Sequence, residues 1–256
     1  NSWMGIINII VTLNLYAGVY QRGLVIFEKQ RNVFSSSLQG LTITLCAIWT
    51  VIYVLFHNVW NQLFSLTTVQ MLAMLLIIWT SAVFGFWSAE QRVVYKYKAL
   101  VALTVVVAIL QPALSILFVI HSEDKVTAKI LGILLVNLFA YTGLFISQMH
   151  HGRKFYSKEF WKHALKFNIP LIPHYLSQTV LNSSDRIMIQ QMVNPGSAGI
   201  YSLAYSLSQI MTMFNTALSY TLTPWIYTNI RDKKIYSIAP MAYGSLIMIA
   251  GVNLIL

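Results

Sequence analysis

Residues 99–120 read ALVALTVVVAILQPALSILFVI. No charged side chain interrupts this run, and its length matches the roughly 20 apolar residues that a helix needs to cross about 30 Å of hydrocarbon. Its apolar residues are continuous. A transmembrane barrel strand would instead alternate apolar and polar residues over about ten positions. Similar runs recur on both sides, and the whole chain is 57% hydrophobic and 9% charged, against roughly 25% charged residues in an ordinary soluble domain. Lipid is therefore the main solvent of this chain, and the expected fold is an all-α polytopic membrane protein.

Eight spans are expected, at residues 3–20, 35–57, 69–87, 99–121, 127–148, 168–192, 199–226 and 237–256. The loops between them alternate in charge. Arg22, Lys29 and Arg31 follow the first span; Arg92, Lys96 and Lys98 the third; Arg153, Lys154, Lys158, Lys162 and Lys166 the fifth; Arg231, Lys233 and Lys234 the seventh. Fourteen of the seventeen basic residues thus fall in every second loop, the asymmetry that marks cytoplasmic loops. The net charge of +10 follows from this topology. A nucleic-acid site would need a basic patch on a soluble face, so no nucleic-acid partner is expected.

The chain starts at Asn1 without a basic-then-apolar leader and ends inside the apolar run 247–256. It is read as the middle of a longer protein, spans two to nine of a larger bundle. Residues 149–167 form the longest and most basic loop. Phe155, Phe160, Trp161, Ala164 and Leu165 between its lysines suit an amphipathic helix at the cytoplasmic surface; a plain topogenic anchor would use the same residues. The expected organisation is an N-terminal lobe at 1–148, this connecting segment at 149–167, and the start of a C-terminal lobe at 168–256.

No catalytic constellation is expected. Seven acids serve the whole chain, and no nucleophile stands near a plausible base. The lone Cys46 lies inside an apolar run, and His150 with His151 would need further ligands to hold a metal. Neither a metal nor a cofactor is expected.

The sixth span carries the informative polarity. At about 3.6 residues per turn, His174, Gln178, Asn182 and Asp185 share an arc, with Tyr175 and Arg186 at its edge. Ionisable groups at membrane depth cost roughly 2.5–3.5 kcal/mol each on insertion scales, so they face a partner or a water-filled path. Two readings of Asp185 and Arg186 stay open: mutual neutralisation near the outer end of the span, or a guanidinium fork offered to a phosphate. Pro170 and Pro173 mark a broken entrance to this span, Pro112 a kink in the fourth, and Pro224 the end of the seventh. Arg22, behind Asn14, Tyr16 and Tyr20, is either a helix-end anchor or a second basic group facing a central cavity.

Three passages resemble a known family. Phe160–Arg186 reads FWKHALKFNIPLIPHYLSQTVLNSSDR; Gly199-Ile200-Tyr201-Ser202 through Tyr205 opens the next span; and Arg22-Gly23-Leu24, Glu28 and Phe34-Ser35-Ser36-Ser37 follow the first. Together they are similar to polysaccharide flippases of the multidrug/oligosaccharidyl-lipid/polysaccharide exporter superfamily, the group that includes O-antigen and capsule repeat-unit flippases. The resemblance implies a two-lobed bundle of twelve or more helices in a bacterial cytoplasmic membrane, about eight of them present here. It implies alternating access for a polyprenyl-diphosphate-linked oligosaccharide, with polysaccharide polymerase machinery as a further partner. Arg186 and Arg22 would attract diphosphate or acidic sugar, His174, Gln178 and Asn182 would line the route, and Asp185 would orient Arg186 or take part in ion coupling. The rival readings are a cation-coupled multidrug exporter of the same superfamily, whose cavity should be richer in carboxylates, and a membrane polymerase or ligase acting at the outer face.

Overall fold

The computed structural model describes the chain apart from residues 1, 65, 194, 235, 237 and 256; within helices it also leaves out the side chains of 2–3, 182–183, 186–187, 190–191, 195–196, 198–199, 202–203, 206–208, 210 and 252–255. Among the described residues there is no strand. The helices in chain order are α1 (Ser2–Thr12), α2 (Gly18–Ile26), α3 (Arg31–Leu55), α4 (His57–Phe64), α5 (Thr68–Val93), α6 (Tyr97–Ile120), α7 (Lys125–Gly152), α8 (Lys158–Asn168), α9 (Ile172–Met192), α10 (Pro195–Arg231) and α11 (Ile238–Ile255). Among the described residues, four segments are long and apolar enough to cross a membrane: Glu28–Leu55, Thr68–Val93, Tyr97–Ile120 and Lys125–Gly152. This is an all-α, multi-pass membrane protein.

The chain divides into two compact units, Asn1–Tyr175 and Leu176–Leu256, with the division inside α9. In the first unit α7 packs against α3, α5 and α6. A Cβ added to Gly132 of α7 would stand 2.8 Å from the Ser115 Cα of α6, so glycine is what permits these backbones to approach, a common device where lipid supplies no hydrophobic drive between helices. Polar bonds cross the same pair: Gln111 Nε2 donates to Asn137 Oδ1 at 2.6 Å, and Ser115 Oγ donates to the Lys129 carbonyl at 3.5 Å. The outer face of α6 leaves Val101, Val105, Ile109, Ile116 and Ile120 exposed, as a lipid-facing helix should.

Helix ends are secured by side chains. Thr67 and Gln70 form a reciprocal capping box at α5, and Asp124 accepts from the Val126 and Thr127 backbone N–H groups at α7. Gln70 Nε2 then donates to Thr127 Oγ1 at 2.9 Å, tying these two N-termini together.

An aromatic cluster joins α2, α3, α5 and α8. Tyr20, Phe34 and Phe86 are fully buried; the Tyr20 ring stacks on Phe34 at 5.8 Å and meets Phe86 edge-on at 4.7 Å, and Phe160 meets Phe34 at 5.2 Å. The expected amphipathic helix is present as α8, but its apolar stripe is covered by protein. Phe160, Ala164 and Asn168, spaced by four, are buried, and Trp161 Nε1 donates to the Ser37 carbonyl at 2.8 Å. Lys158, Lys162 and Lys166 on the other face are exposed.

Three local expectations need correction. The apolar run at 3–20 is not one helix: α1 stops at Thr12, Leu13 and Asn14 take φ of 50° and 52°, and α2 begins at Gly18. Arg22 therefore lies within a helix, not in a loop behind one. The uncharged stretch 58–68, a loop by the expected span boundaries, contains most of α4, whose Val59, Trp60 and Leu63 share one face. Pro224 does not end the seventh span, because α10 runs through it to Arg231. Proline removes one backbone donor and crowds the preceding turn, and the rest of this 37-residue helix outweighs that loss.

Candidate functional site

The break between α1 and α2 is built from polar side chains. Thr12 Oγ1 donates to the Asn8 carbonyl at 2.7 Å and accepts from the Asn14 N–H at 3.2 Å. Asn8 Nδ2 donates to Tyr16 Oη at 3.0 Å. Asn168, at the end of α8, donates from Nδ2 to the carbonyls of Leu13 at 2.8 Å and Asn14 at 3.0 Å. Irregular backbone at membrane depth is tolerated where protein satisfies it or where it lines a cavity. Here protein supplies the donors.

Arg22 is exposed, one turn into α2. Its guanidinium carbon sits 5.7 Å from the centroid of the Phe167 ring, a cation–π distance. His163, one turn earlier in α8, has its pKa held below the ordinary value, first by burial and then by the positive charge of Arg22, with Glu159 acting in the opposite direction. The sequence sets Arg22 behind Asn14, Tyr16 and Tyr20 at the end of a span; the groups the structure brings to it are Phe167 and His163.

A second polar constellation escaped the sequence reading. Gln39 Nε2 donates to Gln148 Oε1 at 2.6 Å, and Gln148 Nε2 donates to Glu90 Oε2 at 2.7 Å. Gln39 and Gln148 are buried. The chain of bonds reaches a recess of about 190 Å³ that Glu90 and Gln148 line together with Asn32 and Ser35. A larger recess of about 550 Å³ shares Asn32, Glu90, Gln91 and His151 with it and adds Lys29 and Arg31. The available signal was Glu90 itself, the one acid between Glu28 and Glu123.

On α9 the expected residues fall in both units. His174 belongs to the first and is exposed, its ring 6.0 Å from that of Tyr175. Gln178 and Asp185 belong to the second and are exposed. Asp185 Oδ2 accepts from Tyr201 Oη at 2.9 Å, and the Tyr201 and Tyr205 rings stack at 6.2 Å. The serine-aspartate-arginine passage and the glycine-x-tyrosine passage thus meet through Asp185 and Tyr201, a pairing that sequence alone had not connected. The side chains of Asn182 and Arg186 lie outside the described residues. No group of three His, Cys, Asp or Glu side chains suited to a metal ion occurs among the described residues.

Comparison with known proteins bears on this arrangement. The chain is 30% identical over 122 residues to a protein of the Lsg locus of Haemophilus influenzae, an alignment covering 45% of this chain and 30% of that relative. The matched part is thus less than a third of the relative's length. No solved structure matches the chain. Residues 2–229 match the family described as polysaccharide biosynthesis protein, and with nearly the whole chain so matched, this multi-pass membrane protein belongs to that family.

Proposed function

We propose that this chain forms part of a flippase that carries polyprenyl-diphosphate-linked oligosaccharide repeat units across a bacterial cytoplasmic membrane for surface polysaccharide synthesis. The observation that carries the reading is the helix break between α1 and α2, with Arg22 exposed one turn beyond it. Transporters place discontinuous helices at their substrate sites. A guanidinium there offers a planar fork suited to phosphate oxygens. Membership of a polysaccharide biosynthesis family points to the same cargo.

In this reading 1–148 and 168–256 belong to two lobes joined through 149–167, and the lobes alternate access to a polar cavity. The lipid tail stays in the bilayer while the head group crosses. Arg22 and Arg186 attract the diphosphate or acidic sugars, His174, Gln178 and Asn182 line the route, and Asp185 is steadied by Tyr201. The test is export in cells whose full-length gene is deleted and then restored with Arg22→Ala or Arg186→Ala. A charge-assisted bond is worth about 1.5–3 kcal/mol, so each variant should cut export by roughly ten- to a hundredfold, with intermediates accumulating on the cytoplasmic face. Unchanged export by both variants at normal protein levels contradicts the assignment of the arginines.

A further inference from the structure

We propose that Asn168 is a positioning residue: a side-chain brace, carried by the segment after α7, that holds the α1–α2 break in shape and so sets the direction of α2 and the place of Arg22. Local backbone donors serve part of the break: the Thr12 and Asn14 carbonyls accept from the Leu15 and Ala17 N–H groups, and the Leu13 carbonyl between them accepts from Asn168. Helix α1 ends with carbonyls that lack an intrahelical partner, and the chain then turns through two non-glycine residues at positive φ, Leu13 and Asn14. Leucine is strained in that region because its Cβ crowds the following carbonyl oxygen, and the conformation persists only where surrounding structure imposes it.

Asn168 supplies that constraint. Its side chain is fully buried, 154 residues along the chain from Asn14, and its single Nδ2 serves the carbonyls of both positive-φ residues. Its Oδ1 has no hydrogen-bond partner among the described residues, so the amide acts wholly as a donor. A residue present only to fill volume would be apolar here, because burying an amide with half its capacity unused costs free energy. The neighbouring residue, Phe167, faces Arg22. One end of α8 thus touches both the break and the cation beyond it, and a displacement of α8 would be transmitted to both.

The importance of Arg22 rests on the proposed function; the brace itself is measured separately. In the full-length protein, with native cysteines replaced, spin labels at Ile26→Cys on α2 and Ile48→Cys on α3, both surface positions, report the direction of α2 by pulsed electron resonance. With Asn168 present a narrow distance distribution is expected. Asn168→Ala and the gentler Asn168→Ser should broaden or shift it, while a label pair at Val51→Cys and Leu76→Cys, on α3 and α5, stays unchanged. Adding Leu13→Gly, which removes the strain at φ 50°, should recover part of the narrow distribution, a rescue that lost core packing would not show. An unaltered α2 distance in both Asn168 variants, equal broadening of both label pairs, or no rescue by Leu13→Gly overturns the brace. Arg22→Ala gives the other arm: unchanged export with an intact α2 distance refutes the substrate role of Arg22 and leaves the brace standing.

Discussion

At the scale of single residues, the strongest expectation concerns Asp185. Its bond from Tyr201 is exposed, so Tyr201→Phe should cost at most about 1 kcal/mol of stability. If the pair works as a unit, Tyr201→Phe and Asp185→Asn should each reduce export, and the double variant should be no worse than the more severe single one; additive losses in export would show independent roles. His163 supplies a pH signature. Its pKa is depressed in the folded protein by burial and by Arg22, so below about pH 6.5 the unfolded chain binds the proton first. Stability should therefore be full above that pH, fall as pH drops toward the folded value, and rise again with pH through the same window. Thermal unfolding in detergent at pH 5 and 7 measures this, and His163→Phe, which keeps an aromatic ring against Phe27, should flatten the dependence; an equal slope in the variant assigns it to other groups. Arg22 and Asp185 stand out in sequence as candidates because ionisable groups in apolar runs are conspicuous. Asn168 and Gln39 were not, because a neutral amide at a span boundary gives no sign of which distant backbone it will serve.

At the scale of elements, Gly132 sets how closely α6 and α7 pack. Gly132→Leu must displace the Ser115 backbone, and overpacking of this kind costs about 1–3 kcal/mol or more; a lowered unfolding temperature in detergent should follow, whereas Gly143→Leu, where an added Cβ meets nothing within 4 Å, should leave it unchanged. Equal effects at the two positions would mean that the α6–α7 contact is looser than the geometry shows. The long helices were legible because α3, α5, α6 and α7 are continuous apolar runs whose ends coincide with basic loops or capping residues. The division of 3–20 into α1 and α2 was hidden, since Leu13 and Asn14 carry no turn signal of the proline or glycine kind. Their conformation is imposed by Asn168 from far along the chain. Prolines misled in the opposite direction: Pro224 sits inside a helix long enough to continue past it.

At the scale of the whole molecule, composition and charge alternation carry the membrane assignment, and the family match extends it to polysaccharide biosynthesis. The basic segment 149–167 was conspicuous in sequence, yet the burial of one face of α8 against α2 and α3 depends on tertiary packing of Phe160, Ala164 and Asn168. The recesses around Glu90 were equally hidden, since their walls come from the ends of α3, α5 and α7. The central claim is translocation of a lipid-linked oligosaccharide. Its most direct test reconstitutes the full-length protein in liposomes holding polyprenyl-diphosphate oligosaccharide in the inner leaflet, with a glycan-modifying enzyme outside. Protein-dependent exposure of inner-leaflet glycan, reduced about tenfold or more by Arg186→Ala, is the expected result. Inner-leaflet glycan that stays protected in correctly folded, active-orientation vesicles would contradict flipping.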